Sequence, residues 1–289
     1  MIALIGCILF SSFIFVLFKL FPKFGINTFQ AIVFNYITAF LCGFILYGHT
    51  WNDKAWSNTN WLIAALICGV LFISLFVLMG KSSQVNGVAR TSVSVKMSMA
   101  VSAICIGISV SETFTLWKIL GILAAIVGVL LVSLDREKDL ENKSIWLLFI
   151  LFFGSGLLDF VLNFVQNHLL THVSAALFSA IGFGIAGSIG VFIMTISIAK
   201  KESTLELKNM FAGVCLGIPN FFSIYLLIEA YSSTGWSDST VLAIVNISIV
   251  LISAILGFIA FKEKLTSQKF FGLLSALIAI GLLYYANLV

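Results

Sequence analysis

Ten apolar runs of about twenty residues follow one another along this chain, and short polar breaks separate them. A run of roughly 20 apolar residues is the length that a helix needs to cross a bilayer. In lipid every backbone polar group must be satisfied within its own segment, so such runs are helices. The sequence predicts helices near 2–21, 27–48, 60–80, 88–110, 115–134, 144–165, 173–198, 209–230, 239–261 and 266–287.

Composition excludes most other classes of protein. The chain is 61% hydrophobic and 10% charged, whereas soluble domains carry about 25% charged residues. Ten spans in 289 residues leave no room for a soluble catalytic domain. The net charge of +4 is small and its basic residues lie in short loops, so nucleic acid is not an expected partner. The lipid bilayer is the expected surrounding.

The two halves of the chain resemble each other. Shifting the first half by 151 residues superimposes six identical residues on the second half, and these are Glu112, Thr115, Lys118, Gly121, Leu123 and Ala125 on Glu263, Thr266, Lys269, Gly272, Leu274 and Ala276. This predicts a five-helix repeat at 1–134, a cytoplasmic linker at 135–143 and a second five-helix repeat at 144–289. Because five is odd, the repeats cross the membrane in opposite senses, as in many secondary transporters.

Basic residues in the loops predict the orientation. Alternate loops, starting with the first, hold thirteen lysines and arginines, whereas the other loops hold only Lys54 and Lys118. The positive-inside rule places the basic loops in the cytoplasm and both termini outside, in a cell inner membrane. The first apolar run lacks a basic leader and a cleavage site, so we expect it to be retained as a helix.

No motif indicates an enzyme, a metal site or a cofactor. The five cysteines lie inside apolar runs without CxxC spacing, which argues against disulfides and zinc. Gly182-x-Gly184-x-x-Gly187 matches a dinucleotide fingerprint, but it lies in an apolar run with no preceding strand and is typical of helix packing. His168 and His172 have metal-ligand spacing without an obvious third ligand, so we expect a solvated loop there.

The repeated segments resemble a known family. Ser111-Glu112-Thr113-Phe114-Thr115 and Lys262-Glu263-Lys264-Leu265-Thr266, each followed by a lysine and a glycine, are similar to the junction motif of ten-helix EamA-type transporters of the drug/metabolite transporter superfamily. The family's glycine before the glutamate is Ser111 in one copy and Lys262 in the other. Its arginine in helix 2 corresponds to Asn35, which we therefore include among the substrate-binding candidates. Family members commonly keep their termini in the cytoplasm, opposite to the charge count here.

Lys96 is the first candidate for a substrate contact. It lies about 12 Å from the cytoplasmic end of the fourth predicted helix, 88–110. Ionisable residues inside membrane spans usually face a cavity or a partner. In this part of the chain the repeat follows a shift of 150 residues, which superimposes Ser98 on Ser248 and Gly107 on Gly257 and places Asn246 of helix 9 at the position equivalent to Lys96. In the family that the chain resembles both helices line the central cavity. A cation and an amide there suit an anionic or zwitterionic substrate. The alternatives are a lysine that extends toward the cytoplasm and an asparagine that bonds a neighbouring helix.

Asp159 is the candidate for proton coupling. It lies about 22 Å from the cytoplasmic end of the sixth predicted helix, 144–165. Roughly 10 Å of depth therefore separates it from Lys96, which exceeds the reach of a lysine side chain unless the helices tilt. An isolated carboxylate in the membrane is suited to carrying a proton that couples transport to a gradient. The alternative is a structural aspartate that bonds Asn163 or a neighbouring hydroxyl.

Two further positions complete the candidate set. Pro219 removes the hydrogen bond to the carbonyl of Cys215 and bends helix 8, so that Asn220 either faces the cavity or belongs to a packing kink. Arg90, with Asn86 near the start of helix 4, either guards the cavity mouth or lies among the lipid headgroups.

These observations favour a secondary transporter, an exporter or exchanger of a small polar metabolite such as an amino acid, that alternates access around a midplane cavity. Export or exchange of such metabolites without ATP hydrolysis is what the family resemblance implies. The alternatives are a membrane-embedded enzyme or flippase acting on a lipid-linked substrate, and a structural subunit of a larger complex. Protons are the possible coupling ion, and the oligomeric state is monomer or homodimer.

Overall fold

The structure is a computed structural model, which describes residues 1–51, 59–109, 115–134, 144–170, 173–234 and 238–286. Within these residues the fold is all-α, without a strand. The helices are α1 (Ile2–Leu20), α2 (Thr28–Tyr47), α3 (Asn60–Val85), α4 (Val88–Met97), α5 (Met99–Ser109), α6 (Leu116–Leu134), α7 (Ile145–His168), α8 (Ala175–Ala199), α9 (Leu207–Ser233), α10 (Asp238–Phe261) and α11 (Ser267–Ala286).

The helices confirm a multi-pass membrane protein. In the described part of the chain, nine helices are long and apolar enough to cross a membrane, and the apolar stretch Leu116–Leu131 is shorter. The helix predicted over 88–110 is present as Val88–Ser109, which is one of the nine spans. Ser98 separates α4 from α5 within it, although its backbone keeps right-handed helical angles (φ −54°, ψ −21°), and we call this one-residue irregularity the break. Helix α3 also continues to Val85, beyond the predicted end at residue 80.

The centre of the bundle is the packing of α2 against α8 and α9. Glycines of α8 allow close contact with α2: a Cβ on Gly184 would meet Phe40 at 2.9 Å, and one on Gly190 would meet Val33 at 2.7 Å. Because the α2 partners descend as the α8 residues ascend, the two helices are antiparallel. The glycines of the Gly182–Gly187 motif lie inside this helix, which confirms their predicted packing role.

Helix α9 packs on another side of α2 through two glycines. A Cβ on Gly213 would contact Phe34 and approach the carbonyl oxygen of Ala31 to 2.7 Å, and one on Gly217 would approach that of Asn35 to 2.7 Å. Here the contacts ascend along both helices, so α2 and α9 are parallel. Small residues of this kind let backbones approach closely where no hydrophobic effect drives helices together.

Helices α6 and α11 form a third close pair. A Cβ on Gly121 would meet Leu283 at 2.8 Å, and one on Gly128 would lie 3.1 Å from the nitrogen of Ala276 and from the oxygen of Gly272. The Ser275 hydroxyl also donates to the carbonyl of Ala124 over 2.8 Å. The reversed order of the partners makes this pair antiparallel.

We expect Gly213→Ala to destabilise the protein by about 1–3 kcal/mol, because its methyl group would overlap the backbone of α2. The matched control is Gly281→Ala in α11, where an added Cβ meets nothing within 4 Å and alanine is favoured in a helix by about 0.5–1 kcal/mol. Thermal unfolding in detergent measures both. Equal midpoints for the two variants would contradict this packing.

Candidate functional site

The surface of α7 shows that the bundle has an internal opening. Successive helical residues turn by about 100°, so the exposed apolar side chains of α7 form one lipid-facing stripe. That stripe consists of Trp146, Ile150, Phe153, Leu157 and Phe164. Asp159 and Asn163 lie on the opposite side of the helix, yet both are exposed. We interpret the exposure of these two polar side chains on the inward side of α7 as an opening between the helices, which we call the cavity.

This cavity is closed toward one membrane face. On the same inward side of α7, Leu148 and Leu151 are buried, and they lie nearer the start of the helix than Asp159 does. The start of α7 shares a face with the end of α3, because Asn86 bonds Ser144 there. We call this the basic face, since it carries Lys19, Lys81, Lys200, Lys208 and Lys264. The inward side of α7 is therefore packed near the basic face and exposed farther from it, at Asp159 and Asn163.

Ser98 connects this cavity to the break between α4 and α5. Its Oγ donates to the carbonyl of Val95 over 2.6 Å and lies 3.3 Å from Oδ2 of Asp159. Gly156, nearly one turn before Asp159, makes this approach possible, because a Cβ there would lie 2.7 Å from the carbonyl oxygen of Ser98. Ser98 itself is 1% exposed, so the contact is enclosed by protein.

Lys96 lies two residues before the break and is half-buried. Its ammonium group interacts electrostatically with Asp159 of α7 and with Cys7 of α1. Neither Lys96 nor Asp159 has an ion pair closer than 4.0 Å among the described residues. The depth difference is nevertheless smaller than the roughly 10 Å expected from the sequence, because Asp159 lies beside Ser98, which is two residues, or about 3 Å along the helix, from Lys96. The two charges thus face a common space without neutralising each other by direct contact.

Asn246 of α10 reaches the other side of the same break. Its Nδ2 lies 3.8 Å from Sδ of Met99, the residue that follows Ser98, and its side chain is 7% exposed. The structure therefore brings Lys96 and Asn246, which the repeat relates, to the two sides of one helix break, with Asp159 beside it.

Asn35 and Asn220 contact each other instead. With its amide nitrogen toward α9, Asn35 donates to the carbonyl of Leu216 over 3.3 Å and lies 3.2 Å from the amide of Asn220. Both side chains are buried between α2 and α9. In the described residues neither shares a hydrogen bond with Lys96 or Asp159. This geometry is that of an interhelical polar contact.

Arg90 is buried at the basic face, in the first turn of α4. Asn86 and Val88, shortly before it in the chain, make hydrogen bonds between the halves of the chain. Oδ1 of Asn86 accepts from the nitrogen of Ser144, and its Nδ2 donates to the Ser144 carbonyl, both over 3.1 Å. The backbone nitrogen of Val88 donates to Oε1 of Glu263 over 2.8 Å. A carboxylate at a helix N-terminus also interacts favourably with the helix dipole.

A second contact between the halves closes the same face near α2. Nδ2 of Asn209 donates to Oε1 of Gln30 over 2.8 Å, and its Oδ1 accepts from the nitrogen of Asn27. Nε2 of Gln30 donates to the carbonyl of Thr204 over 2.8 Å. Together with the bonds of Asn86 and Glu263, these contacts form what we call the basic-face clamp.

The repeated motif has the same local geometry in both halves. Thr115 Oγ1 accepts from the nitrogen of Lys118 over 3.3 Å, and Thr266 Oγ1 accepts from that of Lys269 over 3.2 Å. Each threonine thus caps a helix, α6 or α11, by satisfying a free N–H group. Both lysines are buried. Glu112 lies outside the described residues, as do the linker 135–143 and His172.

Lys262 has a backbone conformation that glycine adopts more readily than lysine. Its φ of 53° is in the left-handed region, where it follows the end of α10. A side chain there costs about 1–2 kcal/mol, which glycine avoids. The turn aims Glu263 back at α4, where the carboxylate lies against Gly87, whose own φ is 91°.

Sequence reasoning did not identify Ser98 and Cys7 as residues of the site, whereas it named Asn86 with Arg90 as a candidate guard of the cavity mouth. A signal for Ser98 was present, because the span formed by α4 and α5 carries polar residues at Arg90, Ser94, Ser98 and Ser102, four residues apart. All four are buried. The contact of Cys7 with the site depends on how α1 packs and has no local signal.

The structure also contains a cavity that is separate from this site. An apolar cavity of about 120 Å³ between α5, α6 and α7 is lined by Val101, Ile104, Ile126 and Phe152 among others. A cavity with this lining stays dry and does not suit a polar ligand. Among the residues that the structure covers, no three His, Cys, Asp or Glu side chains form a group that could hold a metal ion.

We expect Lys262→Gly to raise the stability of the protein by about 1 kcal/mol, since it removes the strain of a left-handed lysine. Lys264→Gly, two residues later at an exposed position, is the control and should not stabilise. Thermal unfolding in detergent measures the difference. A lower midpoint for Lys262→Gly would show that the turn does not have this conformation.

Comparison with known proteins finds a relative that aligns with nearly the whole chain. No protein-family model matches the chain. An uncharacterized protein of Haemophilus influenzae is 30% identical over 292 residues, and the alignment covers 98% of each chain. The chain belongs to the same protein family as this Haemophilus influenzae protein.

Proposed function

We propose that this protein is a secondary transporter of a small polar metabolite. The observation that carries the proposal is the pair of separated charges, Lys96 and Asp159, facing an opening inside a membrane-spanning bundle. Ionisable groups are costly in the membrane, and they occur where they face a substrate or ion pathway. Membership of the drug/metabolite transporter superfamily, suggested by the repeated junction motif, is part of this proposal.

The substrate is anionic or zwitterionic, such as an amino acid. The Lys96 ammonium would bind a carboxylate by a charge-assisted hydrogen bond, and the Asn246 amide lies across the break to supply a second polar contact. Asp159 lacks a direct cationic partner in the described residues, so it remains available for a substrate ammonium group or a proton.

Two inverted five-helix repeats would provide the transport mechanism. Support comes from the antiparallel pairs α6 with α11 and α2 with α8, which join corresponding helices of the two halves. The threonine caps of α6 and α11 are a second match. Inverted repeats of this kind move against each other around a fixed midplane site.

The basic-face clamp defines the state that the structure represents. Its hydrogen bonds run between the halves, and the buried Leu148 and Leu151 lie between it and the cavity. In this proposal the protein is open to the face opposite the clamp, and transport requires the clamp to separate. The positive-inside rule places the clamp in the cytoplasm of the cell, and therefore both termini outside.

The test is flux of radiolabelled amino acids and other small metabolites in proteoliposomes, with and without an imposed pH gradient. We expect saturable flux in the natural protein, and a Michaelis constant raised roughly tenfold or more in Lys96→Ala, because a charge-assisted contact is lost. Lys81→Ala is the matched control, since Lys81 is an exposed lysine of the basic face.

Each outcome leads to a decision. Flux that responds equally to Lys96→Ala and Lys81→Ala would remove Lys96 from the substrate site. Absence of flux for every metabolite class would overturn the transport proposal and favour an enzyme or flippase acting on a lipid-linked substrate. Flux that depends on the pH gradient and loses this dependence in Asp159→Asn would support the proton role of Asp159.

A further inference from the structure

We propose that Ser98 is a positioning residue that links the protonation state of Asp159 to the turn that carries Lys96. The inference rests on the proposed transport function and adds to it a route by which a proton changes the substrate site. Ser98 contacts neither the proposed substrate nor the basic-face clamp. It acts through the two groups that its hydroxyl contacts, the carbonyl of Val95 and the carboxyl group of Asp159.

The serine hydroxyl of Ser98 carries a single hydrogen. Ser98 Oγ lies 2.6 Å from the Val95 oxygen and 3.3 Å from Oδ2 of Asp159, and both of these atoms are acceptors when the carboxyl group is ionised. One hydrogen cannot serve both. The shorter distance assigns it to Val95 in the described conformation. The contact with Asp159 then becomes a hydrogen bond when Asp159 is protonated and donates to Ser98 Oγ.

Loss of the proton reverses this arrangement. When Asp159 releases its proton to water in the cavity, its Oδ2 becomes an acceptor only, and a hydrogen bond to a charged acceptor is stronger than one to a neutral carbonyl. Ser98 then turns its hydrogen toward Asp159 and releases the Val95 carbonyl. That carbonyl belongs to the last turn of α4, one residue before Lys96, so the turn bearing Lys96 loses a hydrogen bond.

The position of Ser98 makes such a change effective. The helix is already interrupted there, with Lys96 on one side and Met99, the contact of Asn246, on the other. Gly156 holds α7 against the carbonyl of Ser98, which keeps Asp159 within reach. A change at Ser98 therefore reaches both polar side chains of the proposed substrate site.

Several titratable side chains lie on the helices that pack around Asp159. Lys96 of α4 interacts with the Asp159 carboxylate, and Cys7 of α1 interacts with Lys96. Helices α3 and α5, which also pack on α7, carry Lys81 together with Cys68 and Cys105. None of these three shares an electrostatic contact with Asp159 in the described residues. Asp159→Asn removes the proposed proton carrier and leaves Lys96 in place.

The experiment compares Ser98→Ala with two matched serines of the same polar segment. Ser92 and Ser102 are buried, and each donates to the carbonyl three residues earlier, over 2.9 Å and 3.0 Å, as Ser98 does. Neither contacts a carboxylate among the described residues. We expect the stimulation of flux by a pH gradient to be lost in Ser98→Ala, as in Asp159→Asn, and retained in Ser92→Ala and Ser102→Ala. Ser98→Thr, which keeps the hydroxyl, should restore it.

A spectroscopic measurement separates this inference from the transport proposal. The infrared band of a protonated carboxylic acid, assigned to Asp159 by its absence in Asp159→Asn, needs no substrate. We expect the frequency of this band and its dependence on pH to change in Ser98→Ala and to stay unchanged in Ser102→Ala. An unchanged band in Ser98→Ala would overturn the inference. Gradient-driven flux that survives Ser98→Ala would also overturn it, while leaving the protein a transporter.

Discussion

The helix break at Ser98 is the constraint on which the rest of the site depends. Inside a membrane the backbone groups of a span must be satisfied by the protein, so an interruption is tolerated only where other groups or water replace the missing bonds. Here the serine hydroxyl bonds the Val95 carbonyl, and Gly156 brings α7 close enough to place Asp159 beside it. The break therefore determines where Lys96, Asn246 and Asp159 meet.

The helices around this break are held together by two kinds of contact. Both join the halves: one is close packing through glycine, of α2 against α8 and α9 and of α6 against α11, and the other is hydrogen bonding of polar side chains at the basic face. Hydrogen bonds such as those of Asn86 and Glu263 exchange readily with water. They are the contacts between the halves that are proposed to separate.

The series of apolar helices followed from the sequence, because apolar length and residue spacing are local properties, although α3 extends five residues beyond its predicted end. The repeat also identified Lys262-Glu263 and Thr266, whose turn and cap the structure describes. The sequence did not show that Asn35 and Asn220 contact each other, since this depends on the parallel packing of α2 and α9. Nor did it show the break at Ser98, because serine is tolerated within helices and breaks one only in a particular tertiary setting.

The most direct test of this account is the accessibility of single cysteines to a membrane-impermeant thiol reagent, in a background with the five native cysteines replaced by alanine. Asn163→Cys reports the cavity side of α7, Leu157→Cys its lipid-facing stripe, and Ser94→Cys the buried region behind the basic-face clamp. The account predicts labelling of Asn163→Cys from the face opposite the clamp and none of Leu157→Cys, with transported substrate making Ser94→Cys reactive from the basic face. Labelling of Asn163→Cys no faster than Leu157→Cys would contradict an internal cavity at Asp159.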